Sequence, residues 1–204
     1  MPGLRETFDC SFSMCRTGIR RCWQFVLCHK PLMLAVKDQY NILCLGLTGS
    51  GKSTILAQLV GENTDNIQPT NGFNIKTLPI KGIVVSIKEL GGSGRVQNFW
   101  NYYFADKNAI MFVIDSAGSD EELQLAKETL KSVLSNARLR GRPCLVLGTH
   151  SDISGSKSQQ ELESLLQNVM QGFKWQVMIC SSFDRQLIRK AFETLIDMIA
   201  VSGQ

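Results

Sequence analysis

One glycine-rich segment restricts the architecture of this chain more than any other feature. Residues 46–53 read GLTGSGKS and match the pattern GxxxxGK(S/T) at every fixed position. An apolar run over 41–46 predicts a buried strand before it, and the pattern of Lys52–Val60 predicts a helix after it. In such a unit the backbone N–H groups of the loop surround phosphate oxygens, and the helix N-terminus adds the positive end of its dipole. Because a chance glycine-rich turn rarely has this context, the sequence predicts a phosphate-binding loop.

The rest of the chain alternates short apolar runs with helical patterns. Continuous apolar strands separated by helices are typical of a parallel sheet covered on both faces, and right-handed crossovers then give a three-layer α/β domain. Ligands of such sheets bind at the carboxyl ends of the strands, here in the loops after residues 45, 90, 115, 148 and 180. The predicted strands are 41–46, 74–78, 82–88, 109–115, 143–148 and 175–180, and the predicted helices are 52–60, 120–135, 158–171 and 183–201, with a short aromatic helix or turn over 95–104.

Length and composition predict one soluble domain with a tail. The chain has 204 residues, 44% hydrophobic and 20% charged. The longest apolar stretch, Trp23–Val36, is interrupted by His29, Lys30 and Pro31, so we expect no membrane span, and no secretory signal. Six of the basic residues and three of the acidic ones lie in residues 1–40. Residues 41–204 are therefore close to neutral, and they lack the excess of basic residues that is typical of nucleic-acid binding. We predict an N-terminal segment over 1–37 and a globular domain over 38–204.

The seven cysteines indicate reduced thiols rather than disulfides. Their number is odd, and Cys44, Cys144 and Cys180 lie in apolar strand patterns, which favours a cytosolic protein.

The N-terminal segment is interpreted as a membrane or docking element. Residues 14–27 can form an amphipathic helix with basic residues on it, and cysteines on such a helix are candidates for S-palmitoylation. An acyl chain with a basic patch is an arrangement that gives stable peripheral anchoring. The alternative is a helix packed on the domain with buried thiols, and the spacing makes a zinc site less favoured. The candidate cysteines are Cys10, Cys15, Cys22 and Cys28.

The glycine-rich loop predicts chemistry on a nucleoside phosphate but not its base or reaction. Lys52 should reach the β- and γ-phosphates, and the hydroxyl of Ser53 should bind Mg²⁺. Kinases, ATPases and GTPases share this loop.

Further motifs narrow the class. PTNGFN at 69–74, ELGGS at 89–93, FWNYYF at 99–104 and FVIDS at 112–116 follow in order. Over roughly 38–200 this pattern resembles the ADP-ribosylation factor (Arf) and Arf-like small GTPases. The resemblance implies the three-layer P-loop small GTPase fold, with a mostly parallel six-stranded sheet and helices on both faces. It also implies GTP and GDP as ligands with Mg²⁺, and two switch loops ordered by the γ-phosphate.

The resemblance implies a role for each matching residue. Thr70 would be a second Mg²⁺ ligand, Gly92 would donate its N–H to the γ-phosphate, Thr54 would touch the α-phosphate, and Asp152 would accept from guanine N1 and N2. Cys180 and Ser181 would lie at the base. The implied nucleotide contacts are Gly46, Thr48, Gly49, Ser50, Gly51, Lys52, Ser53, Thr54, Thr70, Gly92, Thr149, His150, Asp152, Cys180 and Ser181, and the implied metal residues are Ser53, Thr70 and Glu89.

Two departures affect the catalytic centre. Ser93 stands where the family carries the glutamine that orients the attacking water. Serine is too short for this, so we predict very slow hydrolysis and name no catalytic residue; alternatively Ser93 is a surface residue and a partner supplies the machinery. Glu89 replaces the usual aspartate that holds Mg²⁺ through water, so its carboxylate lies one methylene farther out.

Two more departures affect the base site. Thr149 and His150 replace the family's Asn and Lys, which predicts guanine nucleotide binding weakened by about one to two orders of magnitude. His150 either stacks on the base or is solvated. Asp115 and Ser116, at the end of a strand, are interpreted as structural.

The partner surface also departs from the family. Lys88 occupies the position of a tryptophan that would join Phe73 and Tyr103 in an aromatic triad, so the usual Arf effectors are not assumed. The further candidates for partner contact are Arg95, Asn98 and Trp100. The resemblance implies membrane trafficking at Golgi, endosomal or plasma membranes and binding to the CNNM magnesium-transport mediators. Pro2 stands in place of the glycine that Arf proteins myristoylate.

Three hypotheses follow for the function. The first is a GTP-dependent switch whose ordered loops recruit protein partners. The second is a binding module on a GTPase fold, with weak nucleotide affinity and negligible turnover. The third, an ATP-using phosphotransferase, is disfavoured by Asp152 and the PTNGFN segment.

Overall fold

A computed structural model describes residues 39–202 and contains a six-stranded sheet between two layers of helices. The predicted three-layer fold is confirmed. Only the first hairpin pair is antiparallel, and every other neighbouring pair of strands is parallel. The strands are β1 (Gln39–Gly46), β2 (Phe73–Ile80), β3 (Ile83–Leu90), β4 (Ala109–Asp115), β5 (Cys144–Thr149) and β6 (Trp175–Ile179), in the spatial order β2-β3-β1-β4-β5-β6.

Five α-helices and two 3₁₀ segments connect these strands in the described part of the chain. The helices are α1 (Lys52–Val60), α2 (Gly94–Gln97), α3 (Asp120–Leu134), α4 (Gln159–Leu166) and α5 (Arg185–Ser202), and the 3₁₀ segments are Trp100–Tyr103 and Ala137–Leu139. Within 39–202 none of the helices is long and apolar enough to cross a membrane.

The core has two halves because successive residues of a strand point to opposite faces of the sheet. Ile42 and Cys44 of β1 face the half that contains α1 and α5. Leu43 and Leu45 face the half that contains α3 and α4. All four side chains are fully buried, and β1 is a central strand of the sheet that carries the glycine-rich loop at its carboxyl end.

Serine residues cap the N-termini of α3 and α4. The hydroxyl of Ser119 accepts from the N–H of Glu122, whose carboxylate accepts in return from the N–H of Ser119. Ser158 and Glu161 repeat this capping box at α4. The helix predicted over 158–171 ends at Leu166 instead, because the carbonyl of Leu166 accepts from both Val169 and Met170 and the chain turns there.

Candidate functional site

The glycine-rich loop joins the end of β1 to the start of α1. Gly51 directly precedes the helix with φ 81°, a left-handed conformation that favours glycine. Lys52, the first helical residue, is only 5% exposed. Its Nζ donates to the carbonyls of Gly46 (2.9 Å) and Leu47 (2.6 Å) and lies 3.4 Å from the Ser50 hydroxyl. Burial lowers the pKa of Lys52, which Cys44 and Glu89 partly oppose. The ammonium group is thus held against the loop backbone.

A cavity of about 270 Å³ opens beside this loop. Its wall joins the glycine-rich loop to two later segments, 67–71 and 89–93, and to His150. Ten predicted site residues line it: Thr48, Gly49, Gly51, Lys52, Ser53, Thr54, Thr70, Glu89, Gly92 and His150. The other six are not among the lining residues: Gly46, Ser50, Thr149, Asp152, Cys180 and Ser181. The cavity therefore contains most of the residues predicted for the phosphates and the metal, but of those predicted for the base it contains only His150.

The three predicted metal residues converge in this cavity. Ser53 Oγ lies 3.1 Å from Thr70 Oγ1, and Thr70 Oγ1 lies 3.3 Å from Glu89 Oε1. The Ser53 hydroxyl also bonds Glu89 Oε1 directly. Glu89 is fully buried, and its second oxygen, Oε2, has no hydrogen-bond partner among the described residues. Hydroxyl and carboxylate oxygens are ligands that Mg²⁺ prefers, so this donor set fits the ion.

Two consecutive glycines bring the 89–93 segment against its neighbours. A Cβ on Gly91 would lie 2.2 Å from the Thr70 carbonyl oxygen. A Cβ on Gly92 would lie 2.3 Å from the carbonyl carbon of Leu47 and 2.4 Å from the Thr48 nitrogen. Gly91 also donates its N–H to the carbonyl of Gly72 at 2.9 Å. The first glycine therefore fits against the 67–72 loop and the second against the phosphate-binding loop.

The position of Trp100 shows that one prediction of a partner contact was wrong. It was a candidate partner contact, but it is 3% exposed because its ring packs into the core half of α3 and α4. Its indole N–H donates to the carbonyl of Gly91 at 3.0 Å. Gln97, which the sequence analysis did not single out, donates its amide to the carbonyl of Gly92 at 2.6 Å. The carbonyl groups of Gly91 and Gly92 are therefore each fixed by a side-chain hydrogen bond. In the sequence, the one signal for these bonds is the presence of an aromatic residue a few positions after the paired glycines.

Thr149 links the base side to the phosphate side. It is buried, and its hydroxyl lies 3.1 Å from the carbonyl oxygen of Ser50 and 3.2 Å from that of Ile114. The side chain is directed at the phosphate-binding loop rather than into the cavity. The threonine thus ties this loop to β4.

His150 lies at the rim of the cavity beside Asp115. Its Nδ1 approaches Asp115 Oδ1 to 2.8 Å, but the approach is not aligned as a hydrogen bond and Nδ1 has no other partner among the described residues. Asp115 Oδ1 accepts from the N–H of Ala117 at 2.9 Å, which is consistent with a structural role for this residue. His150 has a φ of 56°, in the left-handed region, and is one of the residues that line the cavity.

Asp152 lies on the exposed loop that follows β5. A hydrogen bond from the Ser181 side chain, and a further one from its own backbone N–H, hold the pKa of Asp152 below its ordinary value. The carboxylate is therefore kept ionised and acts as an acceptor. Cys180 differs: its side chain is fully buried in the core, where burial raises the pKa of the thiol to about 12. Only the backbone of Cys180 remains available to a base.

Three of the predicted partner residues form a cluster around Lys88, in which Phe73 is exposed and Lys88 and Tyr103 are half-buried. Phe73 is 51% exposed, and its ring centroid lies 5.7 Å from that of Tyr103. Lys88 Nζ lies 5.0 Å from the Phe73 centroid and 5.1 Å from the Tyr103 centroid, within cation–π range. Arg95 and Asn98 are exposed nearby in the sequence. The four N-terminal cysteines and the predicted helix over 14–27 lie outside the described residues.

The chain is similar to known proteins in sequence and in fold. Residues 28–199 match the ADP-ribosylation factor family. ADP-ribosylation factor-like protein 15 of Homo sapiens is 33% identical over 180 residues, which span 87% of each chain. ADP-ribosylation factor-like protein alp41 of Schizosaccharomyces pombe is 38% identical over 128 residues, or 63% of this chain and 68% of that one. Among solved structures, the Arl6 BBS3 small GTPase of Trypanosoma brucei with bound nucleotide analogue GppNp superposes with a TM-score of 0.73 at 22% identity, covering 81% of this chain and 99% of that one.

Proposed function

This chain belongs to the ADP-ribosylation factor family of small GTPases, and on that premise we propose that it is a GTP-dependent switch with very slow intrinsic hydrolysis. Family membership makes it a nucleotide-binding switch protein.

The observation that carries the proposal is the wall of the cavity. The phosphate-binding loop, the 67–71 segment and the 89–93 segment all contribute to it. Gly91 contacts the Thr70 carbonyl and Gly92 contacts the loop backbone, so both segments lie beside the same site. A γ-phosphate bound there would touch all three parts, and its loss would release two of them.

The predicted site residues have separate tasks in this function. Lys52 would stabilise the β- and γ-phosphates, and Ser53, Thr70 and Glu89 would hold Mg²⁺, which supplies charge compensation for the phosphates when bound. Gly92 would donate its N–H to the γ-phosphate. Asp152, whose pKa a hydrogen bond from Ser181 holds below its ordinary value, would accept from guanine N1 and N2.

The affinity is expected to be modest. Thr149 preserves the tether to the phosphate-binding loop, but its buried hydroxyl makes no contact in the cavity wall. The contact that the family's asparagine makes to the base would be absent, at a cost of about 1 kcal/mol or more. Micromolar or weaker binding is the expected result.

Hydrolysis is expected to be slower than in unassisted Ras, about 3–5 × 10⁻⁴ s⁻¹. Ser93 lines the cavity, but its side chain is too short to orient a water at the γ-phosphate. Single-turnover measurement on the wild type and on Ser93→Gln checks this, with Gly94→Ala as the neighbouring control. A wild-type rate above the Ras range contradicts the proposal, and a faster Ser93→Gln variant supports it.

Titration of the full chain with fluorescent GTP, GDP and ATP, with and without Mg²⁺, tests the proposal directly. A switch binds GTP and GDP and discriminates against ATP. If no guanine nucleotide binds at millimolar concentration, or ATP binds equally well, the proposed function is wrong.

A second candidate is a nucleotide-weak binding module. The observation that favours it is the partly exposed cluster of Phe73, Lys88 and Tyr103, together with the loss of the glutamine at Ser93. Partner contacts would come from this cluster and from Arg95 and Asn98, and the CNNM magnesium-transport mediators are the proposed partners on the resemblance alone. Binding of a purified cytosolic CNNM domain that is equal with GTP, GDP and no nucleotide would favour this candidate, and binding with GTP alone would favour the switch.

Membrane association is the last part of the proposal. An acylated N-terminal segment would hold the protein peripherally at Golgi, endosomal or plasma membranes. Changing all four N-terminal cysteines to serine should move the protein from the membrane fraction to the supernatant. Unchanged fractionation would remove the anchoring role.

A further inference from the structure

We propose that Glu89 is a direct ligand of Mg²⁺, in contrast to a carboxylate that holds the ion through water. The inference rests on the proposed function, because the remaining ligands of the ion would come from the nucleotide. It concerns what the extra methylene of Glu89 does at this site.

The first argument is the spacing of three oxygens. Ser53 Oγ and Thr70 Oγ1 are 3.1 Å apart, Thr70 Oγ1 and Glu89 Oε1 are 3.3 Å apart, and Ser53 Oγ bonds Glu89 Oε1. Mg²⁺ binds oxygens at about 2.0–2.1 Å in near-ideal octahedral geometry, which places adjacent ligands about 3 Å apart. Two of the three separations are therefore close to the spacing of adjacent ligands in such an octahedron, and the third pair, Ser53 Oγ and Glu89 Oε1, is in direct contact, so all three oxygens are near enough to bind one ion.

The second argument is the reach of the side chain. An aspartate at position 89 would end about 1.5 Å shorter, the length of one carbon–carbon bond. A carboxylate at that distance would not contact both hydroxyls, and a water molecule could stand between it and the ion. Glu89 Oε1 does contact both hydroxyls, so the place of that water is taken by the carboxylate itself.

The third argument is charge. Glu89 is fully buried, and Oε2 has no hydrogen-bond partner in residues 39–202. The nearby cation does not pair with it, because Lys52 Nζ donates to Gly46, Leu47 and Ser50. A buried carboxylate without a paired cation is costly. A directly bound divalent cation compensates this charge, whereas a cation behind a water compensates it less because Coulomb energy falls with distance.

The experiment counts the water molecules on the metal. The full chain is loaded with a non-hydrolysable GTP analogue and Mn²⁺, a paramagnetic ion that replaces Mg²⁺, and pulsed electron paramagnetic resonance in D₂O counts the bound waters. Glu89→Asp is the test variant. Glu128→Asp, the same change at an exposed residue of α3, is the matched control.

The wild type and Glu128→Asp should carry one water fewer than Glu89→Asp. Equal counts in all three proteins would overturn the inference. If Glu89→Asp does not fold, the wild-type count decides: three protein oxygens and two phosphate oxygens leave one water, and two waters overturn the proposal. Calorimetry on the same samples distinguishes a failure of the proposed function from a failure of the inference about Glu89. A protein that binds no nucleotide refutes the proposed function and this inference with it, whereas nucleotide binding with equal water counts refutes the inference alone.

Discussion

Replacement of Gly92 by alanine tests whether the 89–93 segment binds the γ-phosphate through the Gly92 N–H. The new Cβ would lie 2.3 Å from the Leu47 carbonyl carbon, 2.4 Å from the Thr48 nitrogen and 2.5 Å from the Gly46 carbonyl oxygen. All three are backbone atoms of the phosphate-binding loop, so no flexible side chain can move away. Ordinary contact begins at 3.4 Å, and the segment must therefore withdraw by about 1 Å.

A withdrawal of this size breaks a hydrogen bond. An N–H···O bond of about 2.9 Å would lengthen to about 3.9 Å, beyond the range of a bond. The lost bond would run from the Gly92 N–H to a charged phosphate oxygen, and bonds to charged groups contribute about 1.5–3 kcal/mol. GTP affinity should fall about 10- to 150-fold. GDP affinity should be unchanged, because GDP has no γ-phosphate.

Isothermal titration of the wild type and the variant with GDP and a non-hydrolysable GTP analogue provides the measurement. Gly94→Ala is the matched control, because a Cβ there meets nothing within 4 Å and its φ is not positive. Equal losses for both nucleotides would show that the change damages the loop generally, and no loss for either would refute the role of Gly92.

Three further outcomes are expected. Thr149→Val removes the hydroxyl that reaches the Ser50 and Ile114 carbonyls and should lower the free energy of unfolding by about 1–3 kcal/mol in denaturant titration, whereas Thr149→Ser should stay near the wild type. Because Asp152 has a pKa below its ordinary 3.8, its carboxylate stays ionised as the pH falls, so preference for GTP over ATP should be equal at pH 7 and pH 5; a decline over that range contradicts its role, and Asp152→Asn should abolish the preference. Burial raises the pKa of three thiols, so alkylation of the native protein at pH 8 followed by mass spectrometry should leave them unmodified until denaturant is added: Cys44, Cys144 and Cys180.

The sequence predicted the fold well where local signals and tertiary packing agree. The helix Lys52–Val60 and the strand Ala109–Asp115 have the predicted bounds, because a glycine starts the first and a continuous apolar run defines the second. The helix over 158–171 was predicted too long. Its apolar residues continue to Met170, which is fully buried, but the chain reaches that position through turns rather than through a helix.

The site was predictable in composition and less so in contacts. Three separate motifs identify Ser53, Thr70 and Glu89 as metal residues. That their oxygens lie close together is shown only by the folded chain. Trp100 was misassigned because a four-residue 3₁₀ segment is too short for periodicity to distinguish its buried side. The bond from Thr149 to Ser50 joins residues 99 positions apart, and no local pattern indicates such a partner.

The ammonium group of Lys88 lies over the rings of Phe73 in β2 and Tyr103 in the 3₁₀ segment Trp100–Tyr103, and this makes it a spectroscopic reporter of both elements. Aromatic ring currents shift the resonances of protons held above the ring face, and the distances of 5.0 Å and 5.1 Å place this side chain almost equally under the influence of Phe73 and Tyr103. Separation of either ring would move the ε-methylene signals toward the values of a free lysine. One resonance of this chain would therefore record, in solution and in real time, whether the start of β2 and the 3₁₀ segment remain together.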